Sequence, residues 1–390
     1  MDQMAPILLR HANTYTPDPL GRQDLLIQGG QITRIDTSLG QLPSWLPHEE
    51  MDLSGLMVVP GFMDAHVHLT GGGGEAGPET RVPPVAFSQL TQAGVTTCVG
   101  VLGTDGTTRT MRDLVASTLG MRRLGLSAYC YTGSYQYPVP TLTGSVRDDI
   151  VFVDPIIGVG ELAISDHRSS QLTLAEFLRV ASDAYTAGLM SAKAGILHIH
   201  MGDGARGFEL IEQAIATAEI PKRVYHPTHV NRRRELFEDA MRLSDTGVTV
   251  DVTAFPDADE GLLASEAIDR WIHAGKDISR VTCSSDGGGC LPVFDGDGEM
   301  LRMDVGRSNV LGQTLVELLA MGHELAQILP VFTRNVARVI RMPSKGQLVA
   351  GADADLVVLE PSGKIRHVMC GGRWVVRDGT VLTRGAFEHI

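Results

Sequence analysis

The central part of the chain alternates short apolar runs with longer amphipathic stretches. Eight of the apolar runs have the length and composition of buried strands. They are FMDAHVHL, VTTCVGVL, LSAYCYTGSY, GVGELAI, LHIHMGD, RVYHPTHV, VTVDVTA and VTCSSDG. Helix-like segments lie between several of them, among them PPVAFSQLTQAG, MRDLVASTLGMRRLG, LAEFLRVASDAYTAG and RGFELIEQAIATAEI. Eight strand–helix units over about 280 residues predict a (β/α)8 TIM barrel, an α/β fold.

Both ends of the chain have a different pattern, in which short β-type runs are separated by glycine. Residues 24–36, DLLIQGGQITRID, form two such runs around a Gly-Gly turn, which predicts a hairpin. The C-terminal part repeats this pattern in DADLVVLE, IRHVMCGGRWVVRDG and TVLTRG. We therefore expect the two ends, residues 1–59 and 345–390, to form a small β-sandwich domain beside a catalytic barrel made of residues 60–344.

Composition and charge limit the kinds of molecule that the protein is expected to bind and the compartment in which it is expected to function. The length of 390 residues fits a barrel with an accessory domain. The chain has 46 acidic and 33 basic residues, which argues against nucleic acid or an anionic membrane as a partner. Five scattered cysteines without a CxxC motif favour a reducing compartment. With neither a leader-like N-terminus nor an apolar run of about 18 residues, we expect a cytoplasmic protein without a membrane span.

Polar residues gather where the predicted strands end, which is the side of a barrel that carries the chemistry. His66 and His68 lie at the end of the first predicted strand. Residues two apart in a strand point to the same face, about 7 Å from each other. Neutral imidazoles are suitable ligands for zinc or a similar divalent ion. The pair is therefore predicted to bind metal.

Two further strand ends carry histidines. His200 ends the fifth predicted strand and His229 the sixth, and each run also contains a second histidine, His198 or His226. Spacing alone does not choose between the members of each pair. The more C-terminal member lies nearer the strand end, which favours His200 and His229 as ligands and leaves the other two in the core or behind the ligands.

Two carboxylates complete the candidate set. Glu161 ends the fourth predicted strand and Asp286 follows the eighth. Either residue could be an ordinary strand-end or turn acid, but an Asp beside a metal can serve both as ligand and as proton shuttle. Four histidines and two carboxylates suffice for a binuclear site, whose bridging hydroxide attacks at neutral pH. The donor set favours zinc, with two ions per chain.

These residues resemble the signature of the amidohydrolase superfamily, which has HxH on strand one, single histidines on strands five and six, and Asp on strand eight. The segment GQLVAGADADLVVL is similar to the one with which the chain of superfamily members re-enters the small β domain after the barrel. A closer resemblance is to the isoaspartyl dipeptidase family. It rests on six segments that occur in the same order, namely HVHLTGGGGEAGP, TGSVRDD, AISDHRS, HMGD, PTHVNR and SSDG. The resemblance implies a metal-dependent hydrolase of β-aspartyl dipeptides that assembles as a homo-oligomer such as an octamer.

The resemblance also implies roles for residues at the barrel mouth. Glu75, on a loop of four glycines, would bind the α-ammonium group of the substrate. Arg168 and Arg232 would bind its α-carboxylate, because guanidinium groups bind carboxylates in a bidentate fork. Tyr135 would stabilise the oxyanion, with Tyr137 as the alternative. Further substrate contacts are implied at Gly73, Thr104 and Cys290.

Two residues depart from the family pattern. Glu161 stands where the family has a carboxylated lysine that bridges two metals, and its side chain is shorter. Gly160, an extra residue before it, predicts a bulge that brings Glu161 inward to bridge the ions. A sister group, the N-acetylglucosamine-6-phosphate deacetylases, can use Glu with a single metal, so one ion is the alternative. Cys290 replaces a serine, and a thiol is a weaker donor, which predicts a weaker hold on the α-carboxylate.

Other functions are compatible with the same motifs. The enzyme alternatives are an N-acyl amino acid deacylase and a β-aspartyl-arginine dipeptidase of cyanophycin breakdown. A barrel that has lost catalysis and serves only as a structural protein is disfavoured, because all the expected histidines and the aspartate are present.

Overall fold

The computed structural model describes residues 5–258, 261–295, 297 and 299–388. The N-terminal part consists of strands only. These are β1 (Ile7–Tyr15), β2 (Pro19–Gln28), β3 (Gln31–Asp36), β4 (Glu49–Asp52) and β5 (Met57–Pro60).

The central part alternates strands and helices, and all eight predicted strands are present. In chain order the elements are β6 (Phe62–Val67), α1 (Phe87–Gln92), β7 (Val95–Gly100), α2 (Met111–Leu124), β8 (Ser127–Thr132), α3 (Val146–Phe152), β9 (Ile156–Ile164), α4 (Leu174–Ser191), β10 (Ile196–Met201), α5 (Glu209–Thr217), β11 (Tyr225–Thr228), α6 (Arg234–Ser244), β12 (Val250–Thr253), α7 (Ala264–His273) and β13 (Val281–Ser284).

The rest of the chain adds a hairpin, three helices and a second group of strands. These are β14 (Cys290–Phe294), β15 (Met300–Val305), α8 (Asn309–Ala320), α9 (Leu325–Ile328), α10 (Arg334–Val339), β16 (Leu356–Leu359), β17 (Ile365–Cys370), β18 (Arg373–Arg377) and β19 (Thr380–Val381). No helix of the described ranges is both long enough and apolar enough to cross a lipid bilayer.

Both ends of the chain contribute to one sheet of nine strands. Its order is β19-β18-β17-β16-β5-β1-β2-β3, and β4 pairs with β1 beside β5. The two ends meet where β16 runs antiparallel to β5, so that Leu356 pairs with Pro60. The predicted hairpin of residues 24–36 is confirmed, because β2 and β3 pair antiparallel. Leu9, Ile27 and Met369 lie in one buried apolar cluster, which draws on both ends.

The central strands run parallel. Six of them form a sheet in the order β11-β10-β9-β8-β7-β6, and β12 and β13 form a parallel pair. Val67, at the end of β6, makes a parallel bridge with Gly287, which follows β13. On the other side, the backbone N–H of Val230 donates to the carbonyl of Asp251 in β12. Both edges of the six-stranded sheet therefore contact the β12–β13 pair.

The helices follow local sequence signals. In α2, Met111, Leu114, Thr118 and Met121 are buried at helical spacing. Its first turn is capped by the hydroxyl of the preceding threonine, and its end is a glycine with φ of 115°. The apolar face of α2 therefore packs inward.

A bulge in β9 places the candidate bridging acid. Val159 pairs with Leu197 and Leu162 pairs with Ile199, so that Gly160 and Glu161 together lie opposite the single residue between those partners in β10. The bulge predicted at Gly160 is therefore confirmed. A Cβ atom at Gly160 would lie 2.8 Å from the Cβ atom of that residue, His198. Only glycine fits at this point of the strand.

Replacing Gly160 with alanine should therefore destabilise the protein. The added methyl group overlaps His198, and relieving such an overlap costs about 1–3 kcal/mol of unfolding free energy. Gly120→Ala is the matched control, because a Cβ atom there meets nothing within 4 Å. Urea unfolding curves measure both variants. Equal midpoints for the two variants would contradict the close-approach argument.

Candidate active site

The carboxyl ends of four central strands bring five of the predicted metal ligands together. The Nε2 atom of His66 lies 3.0 Å from an oxygen of Glu161 and 3.4 Å from an oxygen of Asp286. His68 Nε2 lies 3.1 Å from the same Asp286 oxygen. His229 Nε2 lies 3.3 Å from the other oxygen of Glu161. These side chains form two groups of possible ligand atoms, and within each group the atoms lie within 4.8 Å of one another. One group contains His66, Glu161 and His229, and the other contains His66, His68 and Asp286.

Two of these residues have an unusual backbone conformation. His229 has φ of 62° and Asp286 has φ of 52°. Residues other than glycine seldom adopt such angles, which cost about 1–3 kcal/mol each and persist where neighbours enforce them. The neighbours here are Thr253, whose hydroxyl lies 2.8 Å from His229 Nδ1, and Gly289, whose N–H donates to the carbonyl of Asp286.

The charges of the site fit a divalent cation. One oxygen of Glu161 and one of Asp286 are buried and face imidazole nitrogens, His66 Nε2 at 3.0 Å and His68 Nε2 at 3.1 Å. Burial would raise the pKa of Glu161, but nearby imidazoles, first His66, hold it well below its usual range. Burial would also raise the pKa of Asp286, but His68, His66 and His229 together outweigh burial and lower the pKa. Burial lowers the pKa of His229 to about 3, which leaves a neutral ligand. Carboxylate oxygens and imidazole nitrogens are a set of ligands that binds zinc.

His66 responds to the same negative charge. Burial lowers its pKa, but the carboxylates of Glu161, Asp286 and Asp251 together outweigh burial and raise the pKa to about 9. The carboxylates of Glu161 and Asp286 therefore attract positive charge to the point where both ligand groups meet.

His200 lies beside this centre and is engaged by several neighbours. Its Nδ1 atom is 2.6 Å from Glu161 and 2.7 Å from the hydroxyl of Tyr135. Its Nε2 atom is 3.0 Å from Asp166. Burial raises the pKa of Tyr135 well above its usual value, so the phenol keeps its proton. Tyr135 is therefore a hydrogen-bond donor at the centre of the site.

An acid and two arginines form the next layer of the site. Arg168 Nη1 lies 3.7 Å from Glu75. Arg232 Nη1 lies 3.2 Å from His200 Nε2. One oxygen of Glu75 is buried without a hydrogen-bond partner. This layer can therefore bind a ligand that carries both an ammonium and a carboxylate group.

Asp166 was not among the predicted site residues. It binds Arg168 through two hydrogen bonds of 2.8 and 3.0 Å, and the arginine lies 5.3 Å from the ring of Tyr135. Its position two residues before Arg168, within the AISDHRS run, was the available signal. Asp166 holds the guanidinium in place beside His200.

Arg109 was also missed, and it fixes the glycine loop. The side chain is 1% exposed, and all five of its N–H donors are used. One donor binds Asp105, and the others bind backbone carbonyls of the loop and of the segment after it. Those carbonyls belong to Thr70, Gly72, Gly73 and Val82. Arg109 therefore holds the loop that ends in Glu75.

Three predicted substrate contacts lie around the same mouth. Thr104 follows Gly103, where a Cβ atom would be 2.5 Å from the ring of His68. Gly73 belongs to the loop that Arg109 holds. Cys290 begins β14 and is partly buried, and burial raises the pKa of its thiol to about 12, so that it stays protonated.

Comparison with known proteins assigns the family. The amidohydrolase family model matches residues 57–375. A dihydroorotase from Pelotomaculum thermopropionicum is 23% identical over 385 residues, which cover 87% of this chain and 84% of the relative. A dihydropyrimidinase structure from Brevibacillus agri shares the fold, with a TM-score of 0.68, 16% identity, and coverage of 97% of this chain and 96% of that one.

Greater similarity is found to a β-aspartyl dipeptidase from Fervidobacterium islandicum AW-1. Its crystal structure in complex with β-Asp-Leu dipeptide is 39% identical and has a TM-score of 0.95, with 100% of both chains covered. A second structure of this dipeptidase is 38% identical, with a TM-score of 0.90 and coverage of 98% of this chain and 100% of that one. The resemblance predicted from the motifs is confirmed, and the chain belongs to the amidohydrolase family.

Proposed function

We propose that this chain hydrolyses the β-aspartyl (isoaspartyl) peptide bond of dipeptides. The observation that carries the proposal is the pairing of a carboxylate–imidazole centre with an acid and two arginines at its rim. Similarity over the full chain to a dipeptidase crystallised with β-Asp-Leu supports it. We further propose a closed (β/α)8 barrel of residues 60–344, flanked by a β-sandwich domain of residues 1–59 and 345–390, and a cytoplasmic homo-oligomer such as an octamer.

The rim residues fit the charged groups of an isoaspartyl residue. The unpartnered oxygen of Glu75 accepts from the α-ammonium group. Arg168 and Arg232 bind the α-carboxylate, with Asp166 holding the first of them in orientation. Bound in this way, the substrate presents its side-chain amide to the centre of the site, next to Tyr135.

The centre fits two zinc ions. His66, His68 and Asp286 would hold one, and His200 and His229 would hold the other. Glu161, whose oxygens lie 3.0 Å from His66, 2.6 Å from His200 and 3.3 Å from His229, would be a ligand to both. When bound, the ions lower the pKa of a water molecule and polarise the scissile carbonyl.

The protein's own groups then move the protons. Asp286 accepts the proton of the attacking water and transfers it to the leaving amine. Tyr135 donates its hydroxyl hydrogen bond to the oxygen of the tetrahedral intermediate. Both groups have the protonation state these roles need, because the pKa of Asp286 is lowered and that of Tyr135 is raised.

Replacing Glu161 with alanine tests the bridge. The wild type should contain two zinc ions per chain and hydrolyse β-Asp-Leu in preference to N-acetyl amino acids. The variant should lose zinc and turnover, the latter by at least about 100-fold, because a ligand to both ions is removed. Metal analysis and a ninhydrin assay measure this. Glu212→Ala, on an exposed face of α5, is the control. One ion per chain, or turnover independent of Glu161, would indicate a mononuclear scheme.

Replacing Cys290 with serine should lower KM for β-Asp-Leu or leave it unchanged, because a hydroxyl is a stronger donor than a thiol. Steady-state kinetics measure the effect, with Cys290→Ala as the comparison that removes the donor. The expected order of KM is serine at or below cysteine, and alanine above both. A large rise for serine would refute a contact with the substrate carboxylate.

Replacing Arg109 with lysine should raise KM for β-Asp-Leu about tenfold and change kcat less. Lysine offers three donors in place of five, so the loop that carries Glu75 loses part of its support. Steady-state kinetics of Arg109→Lys measure the effect. Arg179→Lys, the same substitution on the exposed side of α4, is the control. An unchanged KM would show that the loop holds Glu75 without this clamp.

A further inference from the structure

A continuous chain of hydrogen bonds runs from the metal centre into the core. His66 Nδ1 lies 2.9 Å from His198 Nε2, and His198 Nδ1 lies 3.0 Å from His226 Nδ1. His226 Nε2 lies 3.1 Å from the hydroxyl of Thr282, which donates to Asp251 at 2.6 Å. All five residues are at most 1% exposed. We call these residues the histidine chain.

The donor and the acceptor of each hydrogen bond in the histidine chain can be assigned by starting from Asp251, at the end farthest from the metal centre. The two oxygens nearest the Thr282 hydroxyl, those of Asp251 and Val250, are acceptors, so the hydroxyl donates to them. Its oxygen must then accept from His226 Nε2–H. A neutral imidazole has one donor and one acceptor, so His226 Nδ1 accepts from His198 Nδ1–H. His198 Nε2 is left as an acceptor.

This direction reaches the metal ligand. His198 Nε2 can only accept, so the Nδ1 atom of His66 carries a hydrogen and donates to it. In the neutral imidazole the lone pair is then on Nε2, the atom that lies 3.0 Å from Glu161 and 3.4 Å from Asp286. His66 is thus held as the tautomer that binds metal through Nε2.

Both intermediate rings are suited to this task. Each ring has both of its nitrogens engaged, because His198 lies between His66 and His226, and His226 lies between His198 and Thr282. The ring of His198 also stacks on Tyr131 at 5.1 Å, which fixes its plane. At the far end, Asp251 accepts further hydrogen bonds from Thr228 and Ser284, which anchor the acceptor in place.

We propose that His198 and His226 are positioning residues that transmit the hydrogen-bond direction set by Asp251 to His66 and thereby raise the zinc affinity of the site. The proposal rests on the metal centre of the proposed function. It explains why two histidines lie in β10 and two in or directly after β11, since His198 and His226 orient one ligand and His200 and His229 lie at the centre itself. His198 and His226 contribute hydrogen bonds and no ligand atoms.

Three variants test the proposal through zinc affinity. Thr282→Val removes the hydroxyl and keeps the shape, and His226→Leu interrupts the chain. Both should raise the zinc dissociation constant about 10- to 100-fold. His226→Gln should stay near the wild type, because its amide oxygen can accept from His198 while its NH₂ donates to Thr282. Competition of zinc with a chromophoric chelator measures the constants, and ¹⁵N NMR of the zinc-loaded protein reads the tautomers of His66, His198 and His226.

Thr97→Val is the matched control. This buried threonine of β7 has a hydroxyl without a hydrogen-bond partner, so the same atoms are lost without touching the histidine chain. Its zinc affinity should equal that of the wild type. Circular dichroism verifies folding. If His226→Leu does not fold, the comparison of zinc affinity between Thr282→Val and Thr97→Val still tests the proposal.

The outcomes separate this proposal from the proposed function. Zinc affinities that follow the predicted order support the histidine chain even if β-Asp-Leu is not hydrolysed, in which case only the substrate assignment fails. Equal loss of affinity in the leucine and glutamine variants would mean that His226 acts by packing, and the proposal would be wrong. Unchanged affinity and unchanged tautomers in Thr282→Val would overturn it as well.

Discussion

The burial of the Glu161 carboxylate among imidazoles is the interaction on which the rest of the site depends. His66, His200 and His229 all approach its two oxygens. A buried carboxylate is costly unless it is paired or bound to a cation, and Asp286 adds a second one at the same place. The excess of negative charge raises the pKa of His66, whereas burial lowers that of His229.

The side chains that surround Glu161 are brought together at points where the regular backbone geometry is distorted. The bulge at Gly160 places the acid in β9, and left-handed backbone angles at His229 and Asp286 place two more of the proposed ligands just after β11 and β13. Such distortions cost free energy. They occur among well-packed parallel strands, which hold the strained residues in position, and the buried Arg109 does the same for the flexible loop that carries Glu75.

Features with a local sequence signal could be predicted. Apolar periodicity located all eight central strands, and strand-end positions identified ligand candidates such as His66 and Asp286. The bulge was predictable because a glycine preceded the acid. Asp166, Arg109 and the partners of His198 depend on side chains from distant strands and loops, so no local spacing indicates them. The β14–β15 hairpin was missed because its sequence, CLPVFDGDGEMLRMDV, has no clear alternation and contains a proline.

The pairing of β5 with β16 has a consequence for synthesis of the chain. The first strands are made early, but the edge of β5 that faces β16 has no partner until Leu356 has left the ribosome. At about 5–20 residues per second, the edge stays unpaired for tens of seconds. Unpaired edges are sites of aggregation, so the nascent chain has to protect this strand while the catalytic part is still being translated.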